Sequence, residues 1–457
     1  MLIKTRRDFM KATITSAGAL GAFAKFGAMN AFAQSAPQYQ ALVCIFLAGG
    51  NDSHNMVIPV ATAQQNYSLY AQGRQSLALP QAGMQIIQNG NDVYGLHPMM
   101  PEMASLYNAG NAAIVANVGV LTQPTTRQIF QNQNLAKLPA QLFSHSDQTN
   151  QWQAAIPDGT ASTGWGGRVE DTLSPQYNAN ATFTPITATT GCGLFCTGKQ
   201  TFAATVPVGG ASLLQGAGTP SRLAAVQQLM AFDNGLKLVT AANANFNRGV
   251  GFSTSLNNAL NTPLGQQGFV HPFPTSLIGQ QLQTVARIMR IRGSLNIGRQ
   301  IFFCQLGGFD THGSQLGTQD PLLQQLSQAV YAFYQGTQEV GTDSSTTTFT
   351  ASEFGRTLQP NGNAGTDHAW GGHHFVIGTG AQNGGVLQGG KIWGQFPSLA
   401  LGGPDDANTR GTLVPTISVD QYAATMAQWF GVTDPVMIQT LFPYVKNFGT
   451  TNLGFLG

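Results

Sequence analysis

Acidic, basic and imidazole side chains gather in one glycine- and asparagine-rich stretch, residues 346–377. This stretch contains Glu353, Arg356, Asp367, His368, His373 and His374. It holds three of the chain's eight histidines, although only 9% of all residues are charged. Carboxylate oxygen and imidazole nitrogen are the ligands that Zn²⁺ and Mn²⁺ accept in proteins. The stretch therefore predicts part of a metal site, or else a series of polar residues that cap separate turns.

Two more aspartates follow apolar runs of strand length in the same way. Residues 41–48 (ALVCIFLA) precede Asp52, and residues 300–306 (QIFFCQL) precede Asp310, with two glycines after the run in each case. His312 comes two residues after Asp310. Continuous apolar runs of this length are typical of strands that are buried on both faces in a parallel sheet.

A third strand-like run, residues 346–351, leads into the stretch that carries Asp367 and His368. Because the carboxyl ends of parallel strands meet at one edge, we expect these side chains to lie beside Asp52 and Asp310. This convergence predicts a site for a divalent metal, Zn²⁺ or Mn²⁺ first, with Ca²⁺ or Mg²⁺ as alternatives. Paired ions could clamp a phosphoryl or sulfuryl oxygen and activate an attacking hydroxyl or water.

Other groups near these segments could contact a substrate. The segment LFSHSDQTNQWQ contains Ser144, His145, Ser146 and Asp147, a cluster that could supply a nucleophile or that could simply cap a helix. Glu353 and Arg356 could form a structural salt bridge, or Arg356 could face a substrate anion.

Strand-like runs alternate with helical patterns, which predicts an α/β fold with a mostly parallel sheet sandwiched between helices. Residues 275–291 carry one apolar stripe at helical spacing. A further helix is expected to begin at Asp320, with Pro321 in its first turn. Residues 172–275 begin with a stretch almost free of charge and are predicted to be an insertion or cap.

The first 33 residues predict an export signal. Arg6 and Arg7 stand in a twin-arginine motif, and a weakly apolar run ends at the small-x-small site of residues 31–33. We expect the twin-arginine translocation machinery to export a mature domain of residues 34–457 to the periplasm or beyond. Five basic residues and one acidic residue give the leader +4, so subtracting it from the total of +2 leaves −2. That charge favours no nucleic-acid partner, and no later segment is apolar enough for a stable membrane span.

The four cysteines do not form a zinc-binding pattern. Cys192 and Cys196 lie in a glycine-bearing segment, where a local disulfide is plausible in an oxidising compartment. Cys44 and Cys304 lie inside apolar runs, which favours buried free thiols.

Motifs along the whole mature chain resemble those of a known exported family. They are LVCIFLAGGNDSHNMVIP, LHPMMPEMASLYNAG, LFSHSDQTNQWQ, GGFDTHGSQ, SEFGRT and GTDHAWGGHHFV, in this order. The family is the one catalogued as domain of unknown function 1501. It is grouped with the alkaline phosphatase and sulfatase superfamily, so the resemblance implies that superfamily's sheet, with metals at the strand ends.

The resemblance also implies two half-sites for metal. One would consist of Asp52, Asp367 and His368, and the other of Asp310, His312 and either His373 or His374. The superfamily's corresponding aspartate and histidine usually stand farther apart than Asp310 and His312. Its members use a Ser, Thr or modified Cys nucleophile at a helix N-terminus, and no cysteine here occupies such a place. Ser144 is the first candidate, with Ser146 and Ser53 as alternatives.

The resemblance and the converging ligands predict an exported, metal-dependent hydrolase of phosphate or sulfate esters, acting on a small anionic ester. The alternative is a non-catalytic exported protein of the same fold that binds a surface polymer or another partner.

Overall fold

The core of the protein is a sheet whose central strand is the first one in the chain. The computed structural model describes residues 39–133, 137–159, 161–210, 219–231 and 236–457. The predicted leader, residues 1–33, lies outside these ranges. Residues Gln40–Gly457 form one compact unit.

The strands of the main sheet are β1 (Gln40–Ala48), β5 (Ala112–Gly119), β6 (Ile186–Ala188), β7 (Ala204–Thr205), β8 (Arg299–Gly307), β9 (Thr346–Ala351), β10 (Gly372–Ile377), β11 (Ile392–Trp393) and β12 (Ile417–Ser418). Their order is β11-β5-β10-β9-β1-β8-β6-β7, and β12 also pairs with β5. Every pairing is parallel except those that β10 makes with β5 and β9. A separate antiparallel sheet contains β2 (Val57–Ala61), β3 (Gln85–Asn89) and β4 (Asp92–Leu96) in the order β2-β4-β3.

The helices are α1 (Tyr67–Arg74), α2 (Pro101–Asn108), α3 (Arg127–Gln131), α4 (His145–Ala154), α5 (Trp165–Tyr177), α6 (Pro220–Ala231), α7 (Lys237–Leu260), α8 (Pro263–Gln266), α9 (Leu277–Arg290), α10 (Gln315–Glu339), α11 (Val419–Phe430) and α12 (Pro435–Leu441).

Helices cover both faces of the main sheet. Leu42, Cys44 and Phe46 of β1 pack in one apolar cluster with side chains from α4, α5 and α11. Successive side chains of a strand point to opposite faces, so Val43 and Ile45, which are also fully buried, face the other layer. There α9 packs on β8, and α10 packs on α9 and α2. The predicted fold class, a mostly parallel sheet between helices, is confirmed.

Three central strands end within two residues of one another at the edge that carries the polar loops. In the register of β1, Ala48 stands opposite Gly307 of β8, and Phe46 stands opposite Ala351 of β9. The loops after β1, β8 and β9 therefore leave the sheet side by side. Gly49 allows this close approach, because a Cβ atom on it would lie 2.4 Å from the backbone nitrogen of Asp310.

The region predicted as an insertion or cap, residues 172–275, extends the sheet at one side. Its strands β6 and β7 continue the sheet beyond β8 with parallel pairing. Most described side chains of α6 and α7 are exposed or half-buried.

The cysteines have the predicted states. Cys192 and Cys196 form a disulfide, whereas Cys44 and Cys304 are buried free thiols. Burial raises the pKa of both thiols. Among the described residues, no helix is both long and apolar enough to cross a membrane.

Candidate metal centre

Three imidazole rings converge on one carboxylate oxygen at the edge where the central strands end. The Oδ1 atom of Asp310 lies 3.1 Å from Nε2 of His312, 3.3 Å from Nε2 of His368 and 3.5 Å from Nε2 of His145. The Nε2 atoms of His312 and His368 are 2.9 Å apart. Four candidate ligand atoms thus surround a small volume.

Each member of this cluster comes from a different part of the edge. Asp310 and His312 follow β8, and His368 lies in the long loop between β9 and β10. His145 is the first residue of α4, a helix that packs against α5 and against the short 3-10 helix Leu194–Cys196. The sheet therefore brings together residues that are separated by up to 223 positions in the sequence.

Every one of the three imidazoles is held through its other ring nitrogen. Nδ1 of His145 lies 2.9 Å from Oε1 of Glu353, and Nδ1 of His368 lies 2.8 Å from the carbonyl oxygen of Phe143. Nδ1 of His312 lies 3.4 Å from Oδ1 of Asp367. The oxygens beside His145 and His368 are within hydrogen-bond geometry, so they favour a proton on Nδ1 and an unprotonated Nε2. The negative charge of Asp367 beside Nδ1 of His312 favours the same tautomer there. This is how proteins orient histidines that bind a metal.

The donor set fits a divalent cation. Unprotonated Nε2 atoms repel one another at 2.9 Å, and a positive ion between them removes that repulsion. In addition, Nε2 of His145 is a buried polar atom without a hydrogen-bond partner among the described residues. His145, Asp310 and His368 each offer a ligand atom, and these atoms all lie within 4.8 Å of one another.

Arg356 is a buried clamp beneath Asp310. Its guanidinium donates hydrogen bonds to the carbonyls of Gly50 and Thr366, both at 2.9 Å, and to the carboxylate of Asp310. Burial by itself would raise the pKa of Asp310, but the hydrogen bond and charge of Arg356 hold that pKa below its usual range. Asp310 is therefore a carboxylate at neutral pH. The guanidinium is fully buried, so the structure does not place Arg356 where it would face a substrate anion.

Glu353 and Arg356 do not pair with each other as the sequence suggested. Glu353 accepts hydrogen bonds from the backbone of Gly49, at 2.8 Å, and from His145. Arg356 forms its ion pair with Asp310. Both residues support the cluster, but through different partners.

Asp367 lies behind His312 instead of facing the convergence point. Its Oδ1 contacts His312 and accepts a hydrogen bond from Asn361 at 3.1 Å, and its Oδ2 pairs with Arg410 at 2.6 Å. Burial would raise the pKa of Asp367, but the hydrogen bonds from Asn361 and Arg410 hold it below its usual value. Its position fits a partner that orients His312 better than a direct ligand.

Arg410 belongs to the surroundings of the site, although it follows none of the strand-like runs that predicted the other residues. A loop built around the buried carboxylate of Asp406 presents it. That carboxylate accepts hydrogen bonds from the backbone of Gly402, Asn408 and Thr412, at 2.8, 3.1 and 3.0 Å. The only sequence signal was the dense turn chemistry of this segment, which does not reveal where the loop points.

The structure does not bring Asp52 into the cluster. Its side chain is fully buried, where it pairs with Arg74 and accepts hydrogen bonds from Gln315 and, at 2.9 Å, from the backbone of His54. Arg74 also donates to the carbonyl of Thr357 at 3.0 Å. The carboxylate of Asp52 therefore ties the loop after β1 to neighbouring segments.

His373 and His374 also stand apart from the three converging imidazoles. Both are buried in β10, where His373 accepts a hydrogen bond from the backbone of Asn117 at 3.0 Å. His374 packs edge-on against Trp152, with ring centroids 4.8 Å apart. Burial lowers the pKa of His374 to about 3, so it stays neutral in the core. Neither prediction as a ligand agrees with these contacts.

The three candidate serines have distinct environments. Ser144 is the N-cap of α4, and its hydroxyl lies 2.5 Å from Oδ2 of Asp147. Ser146 is exposed and bonds more weakly to the same carboxylate, at 3.3 Å. Ser53 is buried in the loop after β1. Of the three, Ser144 alone stands between two residues that contact the cluster, Phe143 and His145.

His145 is the ligand candidate that the sequence pattern missed. It was grouped with Ser144 as a source of a nucleophile or substrate contact, because it follows no strand. Its membership of the cluster depends on where α4 begins, which only the tertiary structure determines.

The chain belongs to the family described as "Protein of unknown function (DUF1501)", which matches residues 39–420. This confirms the family that the sequence motifs resemble. A search of curated proteins found no match.

Several solved structures are similar to parts of this fold at low identity. The C-terminal periplasmic domain of EcEptC from Escherichia coli, in complex with Zn, is 10% identical, with 75% of this chain and 73% of that chain covered and a TM-score of 0.29. The lipoteichoic acid synthase LtaP from Listeria monocytogenes is 8% identical, with 75% and 66% covered and a TM-score of 0.29. Ps i-CgsB is 11% identical, with 90% and 77% covered and a TM-score of 0.36.

Proposed function

We propose that this member of the DUF1501 family is an exported, metal-dependent hydrolase of phosphate or sulfate esters. The proposal includes the superfamily that the sequence resemblance implies, that of alkaline phosphatases and sulfatases. It also includes export by the twin-arginine machinery to the periplasm or beyond, for which the motif at Arg6 and Arg7 is the support.

One observation carries the proposal: three imidazoles turn their Nε2 atoms toward the carboxylate of Asp310, while each Nδ1 is occupied by an oxygen. A set of separate turn caps or a solvated polar surface would not require three matched anchors. Metal sites do, because the second ring nitrogen fixes both the tautomer and the orientation of the ring.

The ligands favour Zn²⁺, and Mn²⁺ after it. Three nitrogens and one carboxylate suit a borderline ion, whereas Ca²⁺ and Mg²⁺ prefer oxygen ligands. Asp310 and His312 have 49% and 46% of their side chains exposed, so a substrate can approach the cluster from solvent. Access of this kind is typical of a catalytic metal site rather than a closed structural one.

A divalent ion held by these residues supplies Lewis acidity toward an ester oxygen and an attacking group. Ser144 is the candidate nucleophile, since its hydroxyl donates a hydrogen bond of 2.5 Å to the carboxylate of Asp147 at the N-terminus of α4. The positive end of that helix favours an anionic group beside it. Arg356 acts through Asp310, whose charge it stabilises, and Asp367 orients His312.

A non-catalytic exported binding protein is the second candidate, and one observation favours it. The Ser144 hydroxyl has a complete structural role as the N-cap of α4, with the backbone of Asp147 as its donor. In that case the ion would stabilise a surface that binds an anionic polymer.

The test uses the mature protein, purified without chelators. Bound metal is measured by mass spectrometry, and hydrolysis of nitrophenyl phosphate and nitrophenyl sulfate is measured for the wild type and for His312→Ala, His145→Ala and Ser144→Ala. His271→Ala serves as the matched control, because His271 is an exposed histidine that pairs with Glu339 outside the cluster.

The proposal expects about one Zn²⁺ or Mn²⁺ per chain and ester hydrolysis, both lost in His312→Ala and His145→Ala but kept in His271→Ala. Loss of hydrolysis with retained metal in Ser144→Ala would support the nucleophile. Retained metal without hydrolysis in the wild type would favour the binding protein. A wild type that binds no metal would overturn both.

A further inference from the structure

The segment that begins α4 contains a residue with an unusual backbone. Phe143 has a φ of 71°, in the left-handed region that side chains other than glycine seldom adopt. Such a conformation is strained for a residue that has a Cβ atom, and it persists only where the surroundings hold it. Phe143 therefore needs a specific support.

Both backbone polar groups of Phe143 are used. Its carbonyl accepts the hydrogen bond from Nδ1 of His368, at 2.8 Å, and its N–H donates to the side-chain oxygen of Gln148, at 2.6 Å. Gln148 lies in the second turn of α4, where it is fully buried. Its backbone N–H donates to the carbonyl of Ser144, at 3.0 Å, within the same helix.

We infer that Gln148 is a positioning residue of the candidate metal centre: it holds Phe143 in the left-handed conformation that aims the Phe143 carbonyl at His368. The inference rests on the proposed function, because it assigns a role toward the metal. Gln148 does not contact the cluster itself. It acts through the backbone of Phe143.

The same short segment also places His145. Phe143 is followed by Ser144, the N-cap, and then by His145, so the backbone direction at Phe143 sets where α4 starts. Two of the three imidazoles thus depend on one conformation, His368 through a hydrogen bond and His145 through the chain. A tilt of either ring moves its Nε2 away from Asp310.

Apolar neighbours partly cover this arrangement. The ring of Phe143 packs edge-on to Phe130, with centroids 6.3 Å apart, and belongs to a small cluster that includes Leu121 and Trp370. An N–H that is partly shielded from water loses free energy when its acceptor is removed. Without the Gln148 acceptor, nothing offsets the strain at Phe143, so its backbone is expected to leave the left-handed region. The Phe143 carbonyl would then turn away from His368.

The test measures Co²⁺ affinity of the metal-depleted mature protein by its visible absorption, beside the thermal midpoint of each variant. We expect Gln148→Ala to weaken Co²⁺ binding by about 10-fold to 100-fold, the range for loss of groups that support metal ligands. Gln148→Glu keeps an acceptor oxygen for the Phe143 N–H, and we expect its affinity to stay within about threefold of the wild type.

Gln151→Ala is the matched control. Gln151 is a buried glutamine on the same helix whose side chain donates to Ala140 at 2.7 Å, and no contact joins it to Phe143. We expect this variant to lower the thermal midpoint but to bind Co²⁺ as the wild type does. If Gln148→Ala does not fold, Gln148→Asn carries the same test, because its amide is one methylene shorter.

A second variant separates positioning from general stability. Glycine adopts the left-handed region without penalty, so Phe143→Gly should reduce the loss of affinity that Gln148→Ala causes. Equal Co²⁺ affinity in Gln148→Ala and the wild type would overturn the positioning role alone. A wild type that binds no Co²⁺ would overturn the proposed metal centre, and this role with it.

Discussion

The loop after β1 is buried at residues 50–55, whereas the loop after β8 reaches solvent at Asp310 and His312. Two adjacent glycines stand at each of these strand ends, and an aspartate follows the second glycine by two residues in both. Asp52 is covered by Arg74 and Gln315, but Asp310 meets Arg356 on one side and three imidazoles on the other. The comparison shows that the end of a strand can position a carboxylate. The contacts from neighbouring segments then determine whether that carboxylate stabilises the fold or is available to bind a ligand.

The largest effect should come from breaking the buried pair. Arg74→Met leaves the carboxylate of Asp52 buried without its cation, which should lower the free energy of unfolding by about 3–5 kcal/mol. Urea denaturation measures it. The double variant Asp52→Asn/Arg74→Met should recover part of this loss, and an unchanged stability of Arg74→Met would show that Asp52 is not held by charge.

The corresponding change in the loop after β8, Asp310→Asn, should affect metal binding more than the free energy of unfolding. Asp310→Asn should weaken Zn²⁺ affinity by more than about 100-fold, since loss of a supporting group alone costs about 10-fold to 100-fold. Competition with a chromophoric chelator measures this affinity. Asp52→Asn is the control and should bind Zn²⁺ like the wild type. Equal weakening in both variants would remove the contrast between the two loops.

A third carboxyl group tests burial without an arginine partner in contact. Asp420 is buried, its Oδ1 has no hydrogen-bond partner among the described residues, and burial raises its pKa to about 8. The folded state therefore keeps a proton that the unfolded state releases near pH 4. Its contribution to stability is present below about pH 4 and is lost as the pH rises through about 8.

Replacing this group should flatten that part of the pH profile. Asp420→Asn should remove a decline in the free energy of unfolding between pH 5 and pH 8 of about 3–4 kcal/mol, because each pH unit between the unfolded and folded pKa values changes that free energy by about 1.4 kcal/mol. Urea midpoints recorded at each pH for the wild type and the variant give the comparison. A wild type whose stability rises over this range would contradict the assignment.

The smallest effect should come from Arg410, which contacts the candidate metal centre only through Asp367. Arg410→Gln removes the cation that pairs with Asp367, so His312 becomes less firmly oriented. The guanidinium is 39% exposed, which screens its charge, and we expect Zn²⁺ affinity to fall by no more than about tenfold. Arg410→Lys keeps the charge but not the planar geometry, so its Zn²⁺ affinity should lie between those of the wild type and Arg410→Gln. A larger loss than in Asp310→Asn would reverse the order of importance proposed for these residues.

The sequence allowed the edge of the sheet to be predicted, because long apolar runs such as that of β1 and the glycines after them are local signals. It also placed His312 and His368 at that edge. The predicted start of α10 at Asp320 was wrong. The helix begins at Gln315, so Pro321 lies inside it and not in its first turn. That earlier start is what brings Gln315 and Gln319 against Asp52.

The division between ligands and supporting residues could not be read from spacing. His373 follows His368 by five residues, yet it enters β10 and becomes part of the core. His145 and Arg410 reach the site from segments that are not strand ends. Their positions depend on tertiary packing of α4 and of the loop around Asp406, for which a single sequence carries no local pattern.

The central claim is that His145, His312, His368 and Asp310 bind one divalent ion. X-ray absorption at the zinc edge of the zinc-loaded mature protein tests it directly. We predict that Zn²⁺ is coordinated by three imidazole nitrogens at about 2.0–2.1 Å and by a carboxylate oxygen. In His145→Ala the ion should have one imidazole ligand fewer. A zinc-free protein, or a shell in which His145→Ala changes nothing, would contradict it.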